Sequence, residues 1–257
     1  MISDVFHSLI YVPLYNALVF LLSVVPLAEV GIAVIVLTVI VKLLLFPLSL
    51  KAVRTQFLMR EIEPETAAIK EKYKDNKEEQ ARRTMALYKE KGVNPFSSFL
   101  VLLIQLPIIF GLYFVFYKGG LPAVNTGELY SFILVPTNIN MNFLGLVDMG
   151  AKSLVLALLA GVTQFIQAKL SLPLAPKKRQ EGAAPSFQED FTRGLHFQMR
   201  YVLPIVVTGV AYFVSAAVSL YWVTSNLFAI GQEFYVRRKI RPAYEKAPNV
   251  ALNDKAA

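Results

Sequence analysis

The stretch GIAVIVLTVIVKLLLFPLSL, residues 31–50, decides the fold class of this chain of 257 residues. A helix needs about 20 predominantly apolar residues to cross the hydrocarbon core of a bilayer. This stretch has that length and contains one charged residue, Lys42. Four further apolar stretches follow it, at residues 95–116, 153–170, 201–214 and 216–236. The pattern predicts an all-α integral membrane protein with a core of five transmembrane helices.

The composition of the whole chain agrees with this prediction. Hydrophobic residues make up 55% and charged residues 17%, whereas charged residues are about 25% of a typical soluble domain. These values exclude an ordinary cytosolic enzyme and a disordered protein. A disulfide scaffold is excluded because the chain contains no cysteine. The net charge of +8 is concentrated in the segments between the apolar stretches, which is typical of cytoplasmic loops rather than of a nucleic-acid surface.

The positions of Lys and Arg predict the orientation of the chain. Basic residues occur throughout residues 51–94 and 171–200 and in the tail, residues 237–257, so these three segments are predicted to be cytoplasmic. The loop at residues 117–152 contains no Lys or Arg between positions 119 and 150 and is predicted to be extracytoplasmic.

The segment at residues 51–94 is predicted to form a cytoplasmic helical hairpin after the first span. It is rich in Glu, Lys, Arg, Gln and Ala, which are strong helix formers. Asp75 and Asn76 are typical turn residues, so we expect two antiparallel helices over about residues 52–74 and 77–91. Its 11 basic and 8 acidic residues favour contacts with proteins over a grip on nucleic acid.

The N-terminal segment, residues 1–30, allows two interpretations. Pro13 and Asn16 interrupt its apolar pattern, and Tyr11 and Tyr15 suit a membrane–water interface. We expect a helix that lies at the interface or in the outer leaflet, and the alternative is a sixth span.

The residues that usually carry catalysis are scarce in this sequence. His7 and His196 lie near opposite ends of the chain, and the absence of cysteine excludes the common His/Cys metal sites. The sequence contains neither a phosphate-binding loop nor the G-x-S-x-G motif of serine hydrolases. We therefore predict a protein without metal, cofactor or enzymatic activity.

Lys42 is the most informative single residue. It lies about 16 Å along a helix from Gly31, near the midplane of the bilayer. A lysine facing lipid at that depth costs about 2.5–3.5 kcal/mol. One interpretation is an inert lysine bonded to a carbonyl group within the bundle. The other is a lysine that faces a water-filled groove, which is favoured because Thr38 and Ser49 share its helical face.

The other predicted spans also carry polar side chains. The candidate groove residues are Gln105, Gln164, Gln167, Trp222, Ser225 and Asn226, together with Lys42, Thr38 and Ser49. Each amide alone is more typical of hydrogen bonding between helices. Polar faces on the spans together with a central cation favour a shared hydrophilic groove.

Four ordered motifs resemble the YidC/Oxa-type membrane protein insertases. The segment KEKGVNPFSSFLVLLIQLPIIFGLYFVF, residues 89–116, resembles the family's G-x-N-P turn followed by a span with Gln-x-Pro. LYWVTSNLFAIGQEF, residues 220–234, looks like its final span. VKLLLFPL, residues 41–48, and LLAGVTQFIQAKL, residues 158–170, resemble its first and third spans.

The resemblance implies a function, a location and partners. Family members insert newly made membrane proteins into the bacterial inner membrane through a groove that contains a positive residue, with the Sec translocon and the ribosome as candidate partners beside the lipids. Carried onto this chain, the positive residue is Lys42, and the matching polar positions are Gln167 (or Gln164), Trp222 and Asn226. The family's usual arginine is a lysine here, which keeps the charge and loses the planar fork.

Two other functions remain compatible with the residues alone. A small transporter or channel could use Lys42 to bind an anionic solute, although we find no internal repeat of the kind many transporters contain. A structural assembly factor is the third interpretation. Transport predicts saturable solute flux, whereas insertion predicts integration of a short single-span protein into liposomes.

Overall fold

The computed structural model describes residues 2–94, 97–118, 121–171, 194 and 197–246. Within these residues the chain is mostly helical, which confirms the predicted fold class at that level. The helices are α1 (Ile2–Phe6), α2 (Val12–Val24), α3 (Val30–Leu44), α4 (Phe46–Glu61), α5 (Glu63–Lys72), α6 (Lys77–Glu90), α7 (Ser97–Lys118), α8 (Leu154–Ser171), α9 (Leu203–Phe213) and α10 (Ala216–Lys246). A π-helical turn, His7–Tyr11, joins α1 to α2, and another, Gln198–Val202, leads into α9.

Two helices in the described part of the chain are long and apolar enough to cross a membrane. They are Asp4–Val24 and Leu154–Ser171. A third is obtained if the bent pair Val30–Leu44 and Phe46–Met59 is taken as one span, and a shorter apolar helix covers Gln105–Tyr117. This supports a multi-pass membrane protein, since each of these helices needs an apolar environment.

The first predicted span differs from a straight helix. The axes of α3 and α4 meet at an angle of 68° around Leu45. Pro47 explains the bend, because it has no N–H to donate to the carbonyl of Leu43 and its ring disfavours a continuous helix. The new helix begins with Leu48 and Ser49 donating their backbone N–H groups to the carbonyl of Leu45, at 3.1 and 2.9 Å.

The buried core lies where α2, α3, α7 and α10 meet. Its fully buried apolar side chains include Tyr15, Leu18, Leu22, Val34, Leu112, Val115 and Tyr221. Many large apolar side chains point outward instead, among them Leu158, Val162, Ile205 and Leu227. An outward apolar surface of this kind is what a protein surrounded by lipid presents.

A second, smaller packing unit joins α8, α9 and α10. Small side chains allow the close approach: Ala157, Ala160 and Ala211 are fully buried at this contact. A Cβ atom at Gly161 would overlap the hydroxyl of Thr208 and lie 3.2 Å from the carbonyl oxygen of Pro204. Backbones of membrane helices approach this closely where glycine and alanine line the interface.

The segment between α7 and α8 is fastened to the N-terminal ends of α3 and α10. The N–H of Val30 donates to the carbonyl of Asn140 at 3.0 Å, and that of Ala216 donates to the carbonyl of Ala151 at 2.7 Å. Two short antiparallel strands, β1 (Asn142–Phe143) and β2 (Val147–Asp148), lie between these points. Strands of two residues have no periodicity, so the sequence pattern did not predict them.

The hairpin forms with its turn at the predicted place. Asn76 caps α6 by accepting a hydrogen bond from the backbone N–H of Glu79 at 3.0 Å, and Gln80 donates across the hairpin to the carbonyl of Lys70 at 2.7 Å. Arg82 and Arg83 both bind Glu79 and hold the pKa of its carboxyl group at about 2. The first arm differs from the expected single helix because it breaks at Ile62, and α5 then begins at Glu63 with Pro64 in its first turn.

The C-terminal half contains α9 and α10, and the second of these helices is longer than the sequence predicted. The break between the fourth and fifth apolar stretches falls at Val214 and Ser215, and Ser219 ties it by donating to the carbonyl of Ala211 at 2.7 Å. Helix α10 continues to Lys246, ten residues into the segment predicted as a tail. The predicted loop at residues 171–200 lies largely outside the described residues.

The close contact at Gly161 yields a stability prediction with a matched control. Replacing Gly161 with alanine should destabilise the fold by about 1–3 kcal/mol, because the added methyl group forces α8 and α9 apart. Gly209→Ala on α9 should be neutral or stabilising, since nothing lies within 4 Å of its added Cβ. Thermal unfolding in detergent measures both. Equal effects of the two substitutions would contradict the close packing of α8 on α9.

Candidate functional site

Lys42 lies in the last full turn of α3 and connects three helices. Its ammonium donates to the Oε1 atom of Gln105 on α7 at 2.9 Å. The amide nitrogen of Gln105 in turn donates to the hydroxyl of Tyr221 and, at 3.3 Å, to the hydroxyl of Ser225, both on α10. Lys42 and Gln105 are only half-buried. The cation is therefore held by neutral polar groups and remains partly accessible.

The side chains predicted to share the face of Lys42 take different positions. Thr38 is 1% exposed, and its hydroxyl donates to the carbonyl of Val34 in the preceding turn. Ser and Thr hydroxyls in apolar helices commonly donate their hydrogen bond to a carbonyl of the preceding turn. Ser49 lies beyond the bend at Leu45, so the straight-helix relation to Lys42 does not apply. Its hydroxyl accepts a hydrogen bond from Gln232 at 2.8 Å, which joins α4 to α10.

Gln164, Gln167 and Trp222 form a second polar chain between α8 and α10. The indole N–H of Trp222 donates to Gln164 at 3.3 Å, and Gln164 donates to Gln167 at the same distance. Gln167 continues the chain to the hydroxyl of Ser171 at 3.2 Å. All of these residues are half-buried. The structure thus brings together three of the predicted site residues and leaves their polar atoms partly open.

Asn226 has a more enclosed position than its neighbours. It is 7% exposed, and its amide donates to the hydroxyl of Thr163 at 3.2 Å and to the carbonyl of Ala160 at 3.4 Å. These partners lie on α8, so the geometry favours a role in holding α8 and α10 together. Hydrogen bonding between helices, the alternative role for each amide, therefore describes Asn226 better than it describes Gln164 or Gln167.

The polar residues of α10 occupy two neighbouring faces of that helix. One face carries Tyr221, Ser225 and Gln232, and the other carries Trp222, Asn226 and Glu233. At about 100° per residue, the centres of these faces are about 100° apart. The first face bonds to side chains of α7 and α4, and the second bonds to α8. Helix α10 therefore separates the Lys42 network from the glutamine chain and contributes to both.

Arg237 of α10 attaches this helix to the C-terminal end of α8. Glu233 is 1% exposed, and its Oε1 accepts a hydrogen bond from Nε of Arg237 at 2.9 Å. A second nitrogen of Arg237 donates to the carbonyl of Leu170, in the last turn of α8. A cation at this place also compensates the negative end of the helix dipole.

Four residues of these networks were missed by the sequence reasoning. The candidates did not include Tyr221, Gln232, Thr163 and Ser171, although each bonds to one of them. The spacing of Tyr221, Ser225 and Gln232 places them on one helical face, so a search for polar residues aligned with Ser225 would have found two of them.

The fold and the site together define a class of protein: a helical membrane protein that holds a partly open cation among polar side chains of several helices. In the described part of the chain no three His, Cys, Asp or Glu side chains form a group that could bind a metal ion. Comparisons with known proteins then identify the family.

The profile of the family described as "60Kd inner membrane protein" matches residues 20–243. A "Membrane protein insertase YidC" of Clostridium tetani is 31% identical over 208 residues, which are 81% of each chain. A protein of the same name from Fusobacterium nucleatum is 31% identical over 90% of this chain and 98% of its own length. The "Membrane protein insertase MisCA" of Bacillus subtilis is 32% identical over 80% of this chain and 70% of its own.

The chain therefore belongs to the YidC/Oxa family of membrane protein insertases, as its motifs predicted. As a member of this bacterial family it is a multi-pass membrane protein and not an enzyme. Family membership also argues against the transporter interpretation of Lys42.

The ion pair between Arg237 and Glu233 yields a testable prediction. Arg237→Leu should lower stability by about 2 kcal/mol, because the buried carboxylate of Glu233 loses its arginine partner. The midpoint of thermal unfolding should fall by about 4–8 °C. Fluorescence of Trp222, the only tryptophan, is a suitable signal because this residue lies between α8 and α10.

Lys239→Leu is the matched control for Arg237→Leu. Lys239 is exposed on the same helix and donates only to the exposed hydroxyl of Tyr235 among its described hydrogen bonds. It should change the midpoint little. If Lys239→Leu lowers the midpoint strongly and Arg237→Leu does not lower it, Arg237 does not stabilise the contact between α8 and α10.

Proposed function

We propose that this chain moves segments of newly made membrane proteins into the bilayer through a hydrophilic groove in which Lys42 supplies the positive charge. One observation carries the proposal: the ammonium of Lys42 is half-buried and bound by the amide of Gln105, which also bonds to α10. In the described part of the chain Lys42 takes part in no ion pair, so no carboxylate neutralises its charge there.

The energetic role of such a groove follows from the cost of moving polar groups into hydrocarbon. A hydrophilic tail ahead of an apolar segment must leave water, and each unsatisfied polar group costs several kcal/mol in lipid. Polar side chains such as Gln105, Gln164 and Gln167 give the tail hydrogen-bonding partners on the way. The charge of Lys42 attracts acidic residues of the tail. The apolar segment then partitions into lipid, so the hydrophobic effect drives the process without nucleotide hydrolysis.

We propose the following membrane topology for this function. The core has five spans, formed by α3 with the start of α4, then α7, α8, α9 and α10. The hairpin at residues 51–94 and the C-terminus are cytoplasmic, and the segment between α7 and α8 is extracytoplasmic. The distribution of Lys and Arg supports this orientation.

We propose that the N-terminal helix lies along the extracytoplasmic surface rather than across the bilayer. His7 contacts the carboxylate of Glu128 at 3.2 Å, and Asn16 donates to the carbonyl of the same residue at 2.7 Å. These two positions are about 14 Å apart along the helix. Because both contact one loop residue, the helix runs along the loop instead of meeting it with one end. The length of Asp4–Val24 still allows the alternative of a sixth span.

The partners of the proposed function are nascent membrane proteins and membrane lipids. The mixed charges of the hairpin suit contacts with a ribosome or the Sec translocon. Its exposed surface includes Arg82, Arg83 and Met85, which are available to a partner protein.

The proposed role of Lys42 yields a prediction about its charge. Lys42→Arg should retain insertion of a short single-span protein with an acidic tail, whereas Lys42→Glu should reduce it at least about tenfold, which corresponds to about 1.4 kcal/mol. Lys42→Ala should be intermediate, because water can partly replace the cation. The assay is insertion into liposomes that contain the purified variants.

Lys152→Glu is the control, because this substitution changes the net charge by the same amount as Lys42→Glu. Lys152 is exposed in the segment between α7 and α8. It should insert substrate normally. Full activity of Lys42→Glu would contradict the role of positive potential in the groove.

The second prediction concerns the path of the substrate. A photo-crosslinking residue in place of Gln105 or Trp222 should capture a stalled nascent membrane protein, because both side chains are partly open polar positions. One in place of Leu227 should capture mainly lipid, since Leu227 is 55% exposed on the opposite side of α10. Equal capture of the nascent protein at all three positions would mean that α10 is not oriented as proposed.

The third prediction concerns topology. The chain has no cysteine, so a single introduced cysteine can be labelled without interference. Glu78→Cys in the hairpin should react with an impermeant thiol reagent only from the cytoplasmic side, and Thr126→Cys only from the outside. Both positions are exposed. Labelling of Glu78→Cys from outside intact cells would reverse the proposed orientation.

A further inference from the structure

The turn between β1 and β2 presents two leucines to its surroundings. Leu144 is 65% exposed and Leu146 is 83% exposed. Leu27, in the connection between α2 and α3, is 81% exposed. Side chains of this size are seldom so exposed together in water, and contiguous apolar patches usually mark a contact with a partner or a membrane.

The backbone at two of these leucines makes their presence more informative. Leu144 and Gly145 are the central residues of the turn and have φ values of 53° and 68°, and the N–H of Leu146 donates to the carbonyl of Phe143 at 2.9 Å. A turn with positive φ at both central positions favours Asn-Gly or Gly-Gly. Leu27 also has a positive φ, 58°. A polar Asn would suit these backbones better in water, so the leucines indicate apolar surroundings.

The turn is held firmly at the N-terminal end of α3. The backbone N–H of Leu144 donates to the carboxylate of Glu29, which is 4% exposed and directly precedes α3. The ring of Phe143 lies against Gly31, where a Cβ atom would overlap it. Leu144 and its turn are therefore held at a fixed position relative to the N-terminal end of α3.

Two further exposed apolar side chains lie close to Leu27 in the chain. Phe20 and Val24 are 50% and 59% exposed and lie one turn apart on α2, directly before Leu27. Residues 119–150 contain no Lys or Arg, so no basic side chain of that segment draws the turn away from hydrocarbon.

We propose that Leu27, Leu144 and Leu146 insert into the bilayer leaflet at the N-terminal end of α3 and anchor the segment between α7 and α8 to the membrane surface. The occupant is lipid, and it covers the same patch in every functional state because Glu29 ties the turn to α3. Anchoring fixes the height at which α3 begins, and Lys42 lies about 18 Å further along that helix from Val30. The proposal depends on the chain being a membrane protein and is independent of the role of Lys42.

Site-directed spin labelling in liposomes tests the anchor directly. A nitroxide is attached to Leu146→Cys, to Leu27→Cys and, as a control, to Asp148→Cys in the full chain. Asp148 is exposed on β2 of the same hairpin and pairs with Asn142, one residue pair further from the turn than Phe143 and Val147. Collision rates are measured with oxygen, which concentrates in lipid, and with a nickel chelate, which stays in water.

The labels at Leu146→Cys and Leu27→Cys should collide several-fold more often with oxygen than with the chelate, and the label at Asp148→Cys should show the reverse preference. Equal access of the chelate to all three labels would overturn the proposal. Protection of Leu146→Cys from both probes together with spin–spin broadening would assign the patch to a second copy of the chain and would also overturn it. Failure of the Lys42 series with lipid contact intact would count against the insertion groove alone.

Discussion

The constraint on which this structure depends is the solvation of one ammonium group among apolar helices. A lysine at the position of Lys42 cannot reach bulk water easily, and its charge is costly in hydrocarbon. A neutral amide lowers this cost. Gln105 accepts a hydrogen bond from Lys42 and donates hydrogen bonds to Tyr221 and Ser225. A carboxylate in that place would satisfy the cation and also cancel its field. An amide satisfies it and leaves its positive potential uncancelled.

Holding this arrangement requires three helices from distant parts of the chain to stay in register. The packing of Tyr221 and Leu112 in the core fixes α10 against α7 and α3. At the N-terminal ends of α3 and α10, backbone hydrogen bonds from Val30 and Ala216 attach both helices to the segment between α7 and α8. At the other end, Arg237 of α10, which is paired with Glu233 on the same helix, donates to the carbonyl of Leu170 on α8. Both ends of the Lys42 region are thus fixed, while the residues between them stay partly open.

The sequence allowed the helical class and the family to be predicted, because apolar length and ordered motifs are local signals. The turn at Asn76 was also predictable from the capping preference of that residue. The bend at Leu45 was harder, since Pro47 sits within an apolar stretch whose hydropathy continues past it. The enclosed position of Asn226 could not be predicted, because the position of a residue on one face of a helix does not determine which other helix packs against that face. The two-residue strands and their contact with Glu29 depend on tertiary packing and leave no periodic trace.

The most direct test of the central claim is an exchange of charges between groove and substrate. Purified protein with Lys42 and the Lys42→Glu variant are compared in liposomes on two single-span substrates, whose short tails carry either acidic or basic residues. If the field of the groove acts on the tail, the original protein should insert the acidic substrate better, and Lys42→Glu should prefer the basic one. The same substrate preference in both proteins would contradict the account, because the charge at position 42 would then have no influence on the tail that crosses.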